Sequence, residues 1–166
     1  MDYLWSPWRF KYMEEAAQGK QTACFFCEAV KSTRDEETLV VYRGKKVFAI
    51  LNRYPYTSGH LMIVPYAHVA ELRLCDVGAL KEMMELAQRV ETAFRTTYKP
   101  DGMNLGMNLG KAAGAGVAGH LHLHVLPRWF GDTNFMTVTG ETRVQPEELK
   151  TTYQELRKAL ARLRHD

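Results

Sequence analysis

The chain has 166 residues, 46% of them hydrophobic and 25% charged, which suits one soluble globular domain whose core is large enough to need no staples. A net charge of +3 without a run of like charges argues against a nucleic-acid surface, and no apolar window of about 18 residues is present to cross a membrane. The first residues carry no basic, then apolar, leader pattern, and three cysteines do not make a disulfide framework, so a reducing cytoplasm is the expected setting.

Residues 1–15 read as an extended arm, because Trp5, Trp8 and Phe10 surround Pro7. The arm is expected to cover the core of its own chain rather than to contact a partner. Cys24-Phe25-Phe26-Cys27 follows, two thiols spaced as a knuckle for one tetrahedral metal. A redox role would require a strand before the pair and a helix after it, and the preceding residues are short and polar. Thr38 to Arg43 and Lys46 to Asn52 are rich in β-formers and flank Gly44-Lys45, which predicts a hairpin with a two-residue turn. Tyr54 to Gly59 is a loop, and His60 to Pro65 a further strand leading out through His68.

Asp76 is placed to cap a long helix reaching about Tyr98, with an apolar stripe of Leu80, Met83, Met84, Ala87, Val90 and Phe94. Lys99-Pro100-Asp101-Gly102 ends it, and Met103 to Leu109 should be a strand. A glycine-rich loop over residues 110–119 comes next. Glycines let backbone N–H groups approach an anion, so this loop is a candidate phosphate cradle, with Gly116 and Val117 at its centre and Lys111 as a solvated neighbour. From Pro146 the charge placement suggests a last helix, a C-terminal extension over about residues 146–166. The whole chain, 1–166, reads as a single α+β domain: an antiparallel sheet with a long helix packed on it and a C-terminal helix.

Between the loop and Pro127 lies the stretch that carries chemistry, His120-Leu121-His122-Leu123-His124-Val125-Leu126. Its period of two predicts a strand with three imidazoles on one face, about 7 Å apart, and Leu121, Leu123 and Val125 on the core face. An imidazole is a competent nucleophile near neutral pH, and attack on phosphorus by Nε2 forms a phosphoramidate that water or another acceptor resolves.

These residues resemble the signature of the histidine triad (HIT) superfamily, and the run from Pro127 to Met136 is similar to its branch of diadenosine tetraphosphate phosphorylases. The resemblance implies a HIT-like fold, usually as a homodimer joined edge to edge. It implies catalysis by His122 as nucleophile, with His124 contacting the phosphate oxygens and His120 completing the triad. It also implies nucleotide binding by Asn52 at the ribose and Asn108 near the phosphates. Where the family often carries Gly-Gln-Ser-Val, this chain has Gly114-Ala115-Gly116-Val117-Ala118-Gly119, which leaves backbone N–H groups as the donors. Some relatives hold zinc through residues matching Cys24, Cys27, His68 and His120, a closed structural site without an open position for water. His60 is expected as a buried hydrogen-bonding group, Cys75 as inert, and His165 as a tail residue.

The function this implies is cleavage of a dinucleoside polyphosphate such as diadenosine tetraphosphate at its α-phosphate, through a nucleotidyl-His122 intermediate, with phosphate or water as acceptor. Arg128 could draw an anion and Trp129 could limit water, if both faced the site; otherwise Arg128 is solvated and Trp129 packs at an edge. Three alternatives compete. One is a hydrolase of nucleoside phosphoramidates or other nucleotide conjugates. The others are a non-catalytic nucleotide-binding or adaptor module and a zinc-stabilised interaction domain.

Overall fold

In a computed structural model of the chain, the residues described are 23–132 and 147–163. The aromatic arm, His165 and the end of the run that follows the triad lie outside them.

A short helix α1 (Phe25–Lys31) and a single turn α2 (Asp35–Thr38) lead into β1 (Val40–Arg43), β2 (Val47–Leu51) and β3 (Leu61–Pro65). After a 3-10 turn at Leu72–Leu74 come α3 (Val77–Thr97), β4 (Gly102–Met107), a second 3-10 turn at Lys111–Ala113, β5 (Leu123–Arg128) and α4 (Leu149–Arg162). The five strands form one antiparallel sheet in the order β1-β2-β3-β5-β4. This is the α+β architecture expected; α1 and α2 have no apolar stripe that would have announced them.

Alternation along the strands divides the sheet into two faces. Val47, Ala49, Leu51, Leu61, Ile63, Leu123 and Val125 pack against Met83, Leu86, Ala87, Val90 and Phe94 of α3, with Tyr153, Leu156 and Leu160 of α4 joining the same cluster. On the opposite face Phe48, Ile50, Met62 and Val64 pack under Phe26 and Ala29 of α1. Among the described residues no helix is long and apolar enough to cross a membrane.

Helix α3 starts as expected, with the Asp76 carboxylate accepting from the Ala79 N–H at 3.0 Å. Its buried face is shifted from the expected stripe. Met84 is 53% exposed, while Leu86 and Ala93 are buried. Each residue turns the helix by about 100°, so Met84 cannot share a face with Met83, Ala87, Val90 and Phe94. The β1–β2 hairpin has the expected two-residue turn, shifted by one residue: the Gly44 N–H donates to the Val47 carbonyl at 2.8 Å, so the turn residues are Lys45 and Lys46, whose N–H groups donate to Glu82 of α3 at 2.7 and 2.9 Å. Helix α4 is latched to the end of α3 at Glu147, which accepts from Tyr98 Oη at 2.8 Å and Thr152 Oγ1 at 2.6 Å.

The two neighbouring methionines of α3 give a direct check of which face is buried. Met83→Ala should cost about 2–5 kcal/mol, because it removes fully buried volume. Met84→Ala should stay within about 0.5 kcal/mol of the parent. Urea unfolding of both variants measures the difference, and equal losses would place the helix in another rotation.

Candidate functional site

The triad is built on the entry to β5. The inter-strand ladder begins only at Leu123, which pairs with Ile63 on one side and Met107 on the other. His120 and His122 precede it, and the Leu121 N–H donates to the Val69 carbonyl at 2.7 Å. Leu121, Leu123 and Val125 enter the core, as the alternation predicts. His120 and His122 are buried and His124 is half-buried. The rings of His122 and His124 meet edge to face with centroids 4.9 Å apart, closer than the backbone rise alone would set them.

Hydrogen bonds assign a tautomer to each ring, because a carbonyl can only accept. His120 Nε2 donates to the Pro65 carbonyl at 2.8 Å, which leaves the lone pair on Nδ1. His122 Nδ1 donates to the His120 carbonyl at 2.8 Å, which leaves the lone pair on Nε2. The third assignment runs through His60. Its Nδ1 accepts from the Tyr56 N–H at 3.1 Å, so its Nε2 carries the proton and donates to His124 Nδ1 at 2.8 Å. His124 therefore presents an Nε2–H. Burial lowers the pKa of His122 and of His120 below the usual imidazole value, which favours the neutral rings that these assignments require.

His60 is more than the buried hydrogen-bonding group expected, since it sets the proton position of His124. Its sequence signal, a histidine opening a strand, is too common to have shown this. Phe26 is another residue that the pattern of residue types did not single out. It sits inside the Cys24–Cys27 pair, and its ring lies 5.3 Å from that of His120 and 5.2 Å from that of His122, a dry wall beside both. Tyr56 covers His60, with ring centroids 4.6 Å apart.

Cys24, Cys27, His68 and His120 offer ligand atoms that all lie within 4.8 Å of one another. His120 Nδ1 is 3.3 Å from Cys24 Sγ and 3.7 Å from Cys27 Sγ, and His68 Nδ1 is 3.3 Å from Cys27 Sγ. A tetrahedral zinc with bonds of about 2.3 Å to sulfur and 2.0–2.1 Å to nitrogen sets such donors about 3.6 Å apart, so this set fits the ion. The assigned tautomer fits as well, since the lone pair of His120 points at the thiols. Burial, then the neighbouring Cys24, raises the Cys27 thiol above its ordinary pKa, a cost that a bound divalent cation would reverse by favouring the thiolate.

The expected nucleotide-binding residues are spread around this centre. Asn52 ends β2 beside His60. Its Oδ1 accepts from the Tyr54 N–H at 2.9 Å and its Nδ2 lies 3.3 Å from His60 Nδ1, so it holds the loop and touches the relay to His124. Asn108 Nδ2 donates to the Gly114 carbonyl at 3.4 Å and braces the glycine loop. Within that loop the N–H groups of Ala113, Gly114 and Ala115 bond back to Gly110 and Lys111. Val117 packs partly against the cluster under α1, and Gly116 is exposed beside it.

Beyond the triad, Arg128 faces the same side as His124 but is held by Asp132 at 2.6 and 2.7 Å and by Asn104 Oδ1 at 2.7 Å. Trp129 points away. Its Nε1 donates to the Tyr98 carbonyl at 3.4 Å and its ring meets Tyr98 edge to face. In this structure the indole is not a cover for the triad, because strand alternation sends it to the helix side.

The chain has counterparts among known proteins. The chain is 44% identical over 155 residues to the AP-4-A phosphorylase of Mycobacterium tuberculosis (strain ATCC 25618 / H37Rv), covering 90% of this chain and 79% of that one. It superposes on a Zn-bound histidine triad family protein from Mycobacterium smegmatis with a TM-score of 0.69 at 29% identity, covering 86% of this chain and 96% of the other. A hypothetical histidine triad nucleotide-binding protein from Sulfolobus tokodaii strain7 gives a TM-score of 0.68 at 29% identity, with coverage of 85% and 94%. The HIT domain model matches residues 33–131, which run from α2 through the whole sheet and the triad, and the chain belongs to the HIT domain family.

Proposed function

We propose that the protein is a HIT-family enzyme that cleaves a dinucleoside polyphosphate at its α-phosphate, with His122 as nucleophile. The observation that carries this reading is the pair of opposite tautomers on neighbouring rings. His122 holds a lone pair on Nε2, while His124 holds a proton on Nε2. A phosphoryl group between them would meet a nucleophile and a hydrogen-bond donor at once. The similarity to an AP-4-A phosphorylase supports a substrate of the diadenosine tetraphosphate type.

In the first step the Nε2 lone pair forms a P–N bond, and the P–O bond to the polyphosphate breaks with its electrons leaving on oxygen. His124 donates to the phosphate oxygens as charge redistributes. In the second step an acceptor oxygen attacks phosphorus, and the P–N electrons return to His122. Phe26 keeps water from the back of the rings, and the His120 carbonyl holds the His122 proton in place throughout. Asn52 would take the ribose hydroxyls. The glycine loop, with Gly116 and Val117, would cradle the phosphates through backbone N–H groups. The edge of β4 is where a second copy would pair to form a homodimer, since Leu105 and Gly106 are exposed there.

Zinc is proposed as a structural ion on Cys24, Cys27, His68 and His120. Bound there it would tie α1 and the β3 exit to the triad segment, and it would supply no activated water, because all four positions are filled by protein.

Three measurements test these readings. His122→Asn should lower kcat by several orders of magnitude while AMP binding by calorimetry persists; turnover near that of the parent would remove the nucleophile. Elemental analysis should find one zinc per chain, and Cys27→Ser should lose both the metal and several degrees of melting temperature; metal-free protein of unchanged stability would refute the site. Diadenosine tetraphosphate turned over with and without inorganic phosphate decides the acceptor. ADP plus ATP formed only with phosphate is the outcome expected of a phosphorylase, whereas AMP plus ATP at the same rate without phosphate makes the enzyme a hydrolase.

A further inference from the structure

The two sides of the triad are unequally covered. On the β2–β3 side the sheet face is roofed by α1, with Phe26 against the His122 ring. On the β4 side the same face is bare among the described residues. Register places Gly106 directly opposite His124, Asn104 opposite Leu126 and Gly102 opposite Arg128. Paired residues of an antiparallel ladder project to one face, so these three share the face of the triad. A Cβ built on Gly106 or on Gly102 meets nothing within 4 Å, and neither glycine has a positive φ. Neither glycine, therefore, is demanded by the backbone or by packing. In a strand a glycine forgoes side-chain packing and often marks a close approach by something else.

We propose that this strip of β4, Gly102, Asn104 and Gly106, is the subsite that holds the polyphosphate leaving group. The inference rests on the dinucleoside polyphosphate reading above. It assigns the half of the substrate that the triad and Asn52 do not hold. The geometry supports it in three ways. The strip begins one strand spacing from His124, about 4.8 Å, so a phosphate chain leaving the α-phosphorus on the side away from α1 arrives there. It runs about 13 Å from Gly106 to Gly102 at about 3.3 Å per residue, which gives room for several phosphates. It also carries hydrogen-bond donors: Asn104, whose Oδ1 accepts from Arg128, has an amide NH2 group to donate, and the Arg128 guanidinium marks the far end. A side chain at Gly106 would stand where the first leaving phosphate passes His124.

The test adds side chains where the fold has space for them. Gly106→Val and Gly102→Val should fold with unchanged melting temperature, since β-branched residues suit strands. For each variant, kcat/KM for diadenosine tetraphosphate is set against Kd for AMP, which lacks the leaving half. Gly106→Val should lower kcat/KM about tenfold or more with Kd for AMP held within about twofold, and Gly102→Val should act in the same direction more weakly. If both quantities worsen together, or if kcat/KM is unchanged in both variants, the strip is not the leaving-group subsite. The parent enzyme is assayed first. A parent that binds AMP and does not cleave the dinucleotide would overturn the catalytic reading itself, a failure separate from an active parent whose valine variants behave alike.

Discussion

Two backbone carbonyls govern the site. The Pro65 carbonyl takes the Nε2 proton of His120, and the His120 carbonyl takes the Nδ1 proton of His122. Identical side chains two residues apart are thereby given opposite tautomers. One turns its lone pair towards two cysteines and the other towards the open face of the sheet. A side-chain acceptor could rotate away or change its charge, whereas a backbone carbonyl in a packed segment can do neither. His122 therefore needs no acidic partner, and its proton position is fixed by the path of the chain. Burial acts in the same direction, by holding both rings neutral.

This arrangement makes demands on structure well away from the rings. Pro65 must end β3 at the height of His120, which the β2–β3–β5 register ensures. Leu121 and Leu123 must be anchored in the α3 core so that the intervening imidazoles cannot swing. The loop before His60 must present the Tyr56 N–H to the His60 ring, and it is pinned to β5 by Thr57, whose hydroxyl donates to the Pro127 carbonyl at 3.2 Å. Gly59 within that loop has a φ of +79°, and a Cβ there would stand 3.0 Å from Pro127 Cγ. Only glycine makes the turn and the close approach together.

Much of this was legible in the sequence because it follows periodicity. The alternation of histidine with leucine and valine placed the rings on one face and the aliphatic residues in the core, and Asp76 announced α3. What was not legible depends on contacts between distant elements. Met84 looks like part of the apolar stripe until the helix is rotated against a real sheet. The β1–β2 turn falls one residue later than expected, on Lys45 and Lys46, whose N–H groups meet a carboxylate of α3 some 36 residues on. The role of His60 arises from a ring 64 residues away. The helix at Phe25–Lys31 is too short to carry a period, and it is the element that brings Cys24, Cys27 and Phe26 to the triad. Arg128 and Trp129 were open to two placements, and strand parity sends one to each face of the sheet.

The ladder of β5 begins one residue after His122, which bears on the metal proposed at Cys24, Cys27, His68 and His120. His122 itself makes no inter-strand pair, and in place of a ladder the segment from His120 to His122 has a bond from Leu121 to Val69, one from the His120 N–H to Val117, one from the His120 ring to Pro65 and the contacts of that ring with Cys24 and Cys27. Segments outside a ladder open locally more readily than paired strands. The four candidate ligand residues lie across this segment: Cys24 at the N-cap of α1, Cys27 within that helix, His68 just after β3, and His120 on the segment itself. A structural ion at that position would replace the missing ladder with bonds to three parts of the chain. His122, the proposed nucleophile, would then lie outside the ladder and still be held as rigidly as a paired residue. The proposed zinc site and the early end of the ladder would then be two parts of one solution, and neither alone would serve the proposed reaction.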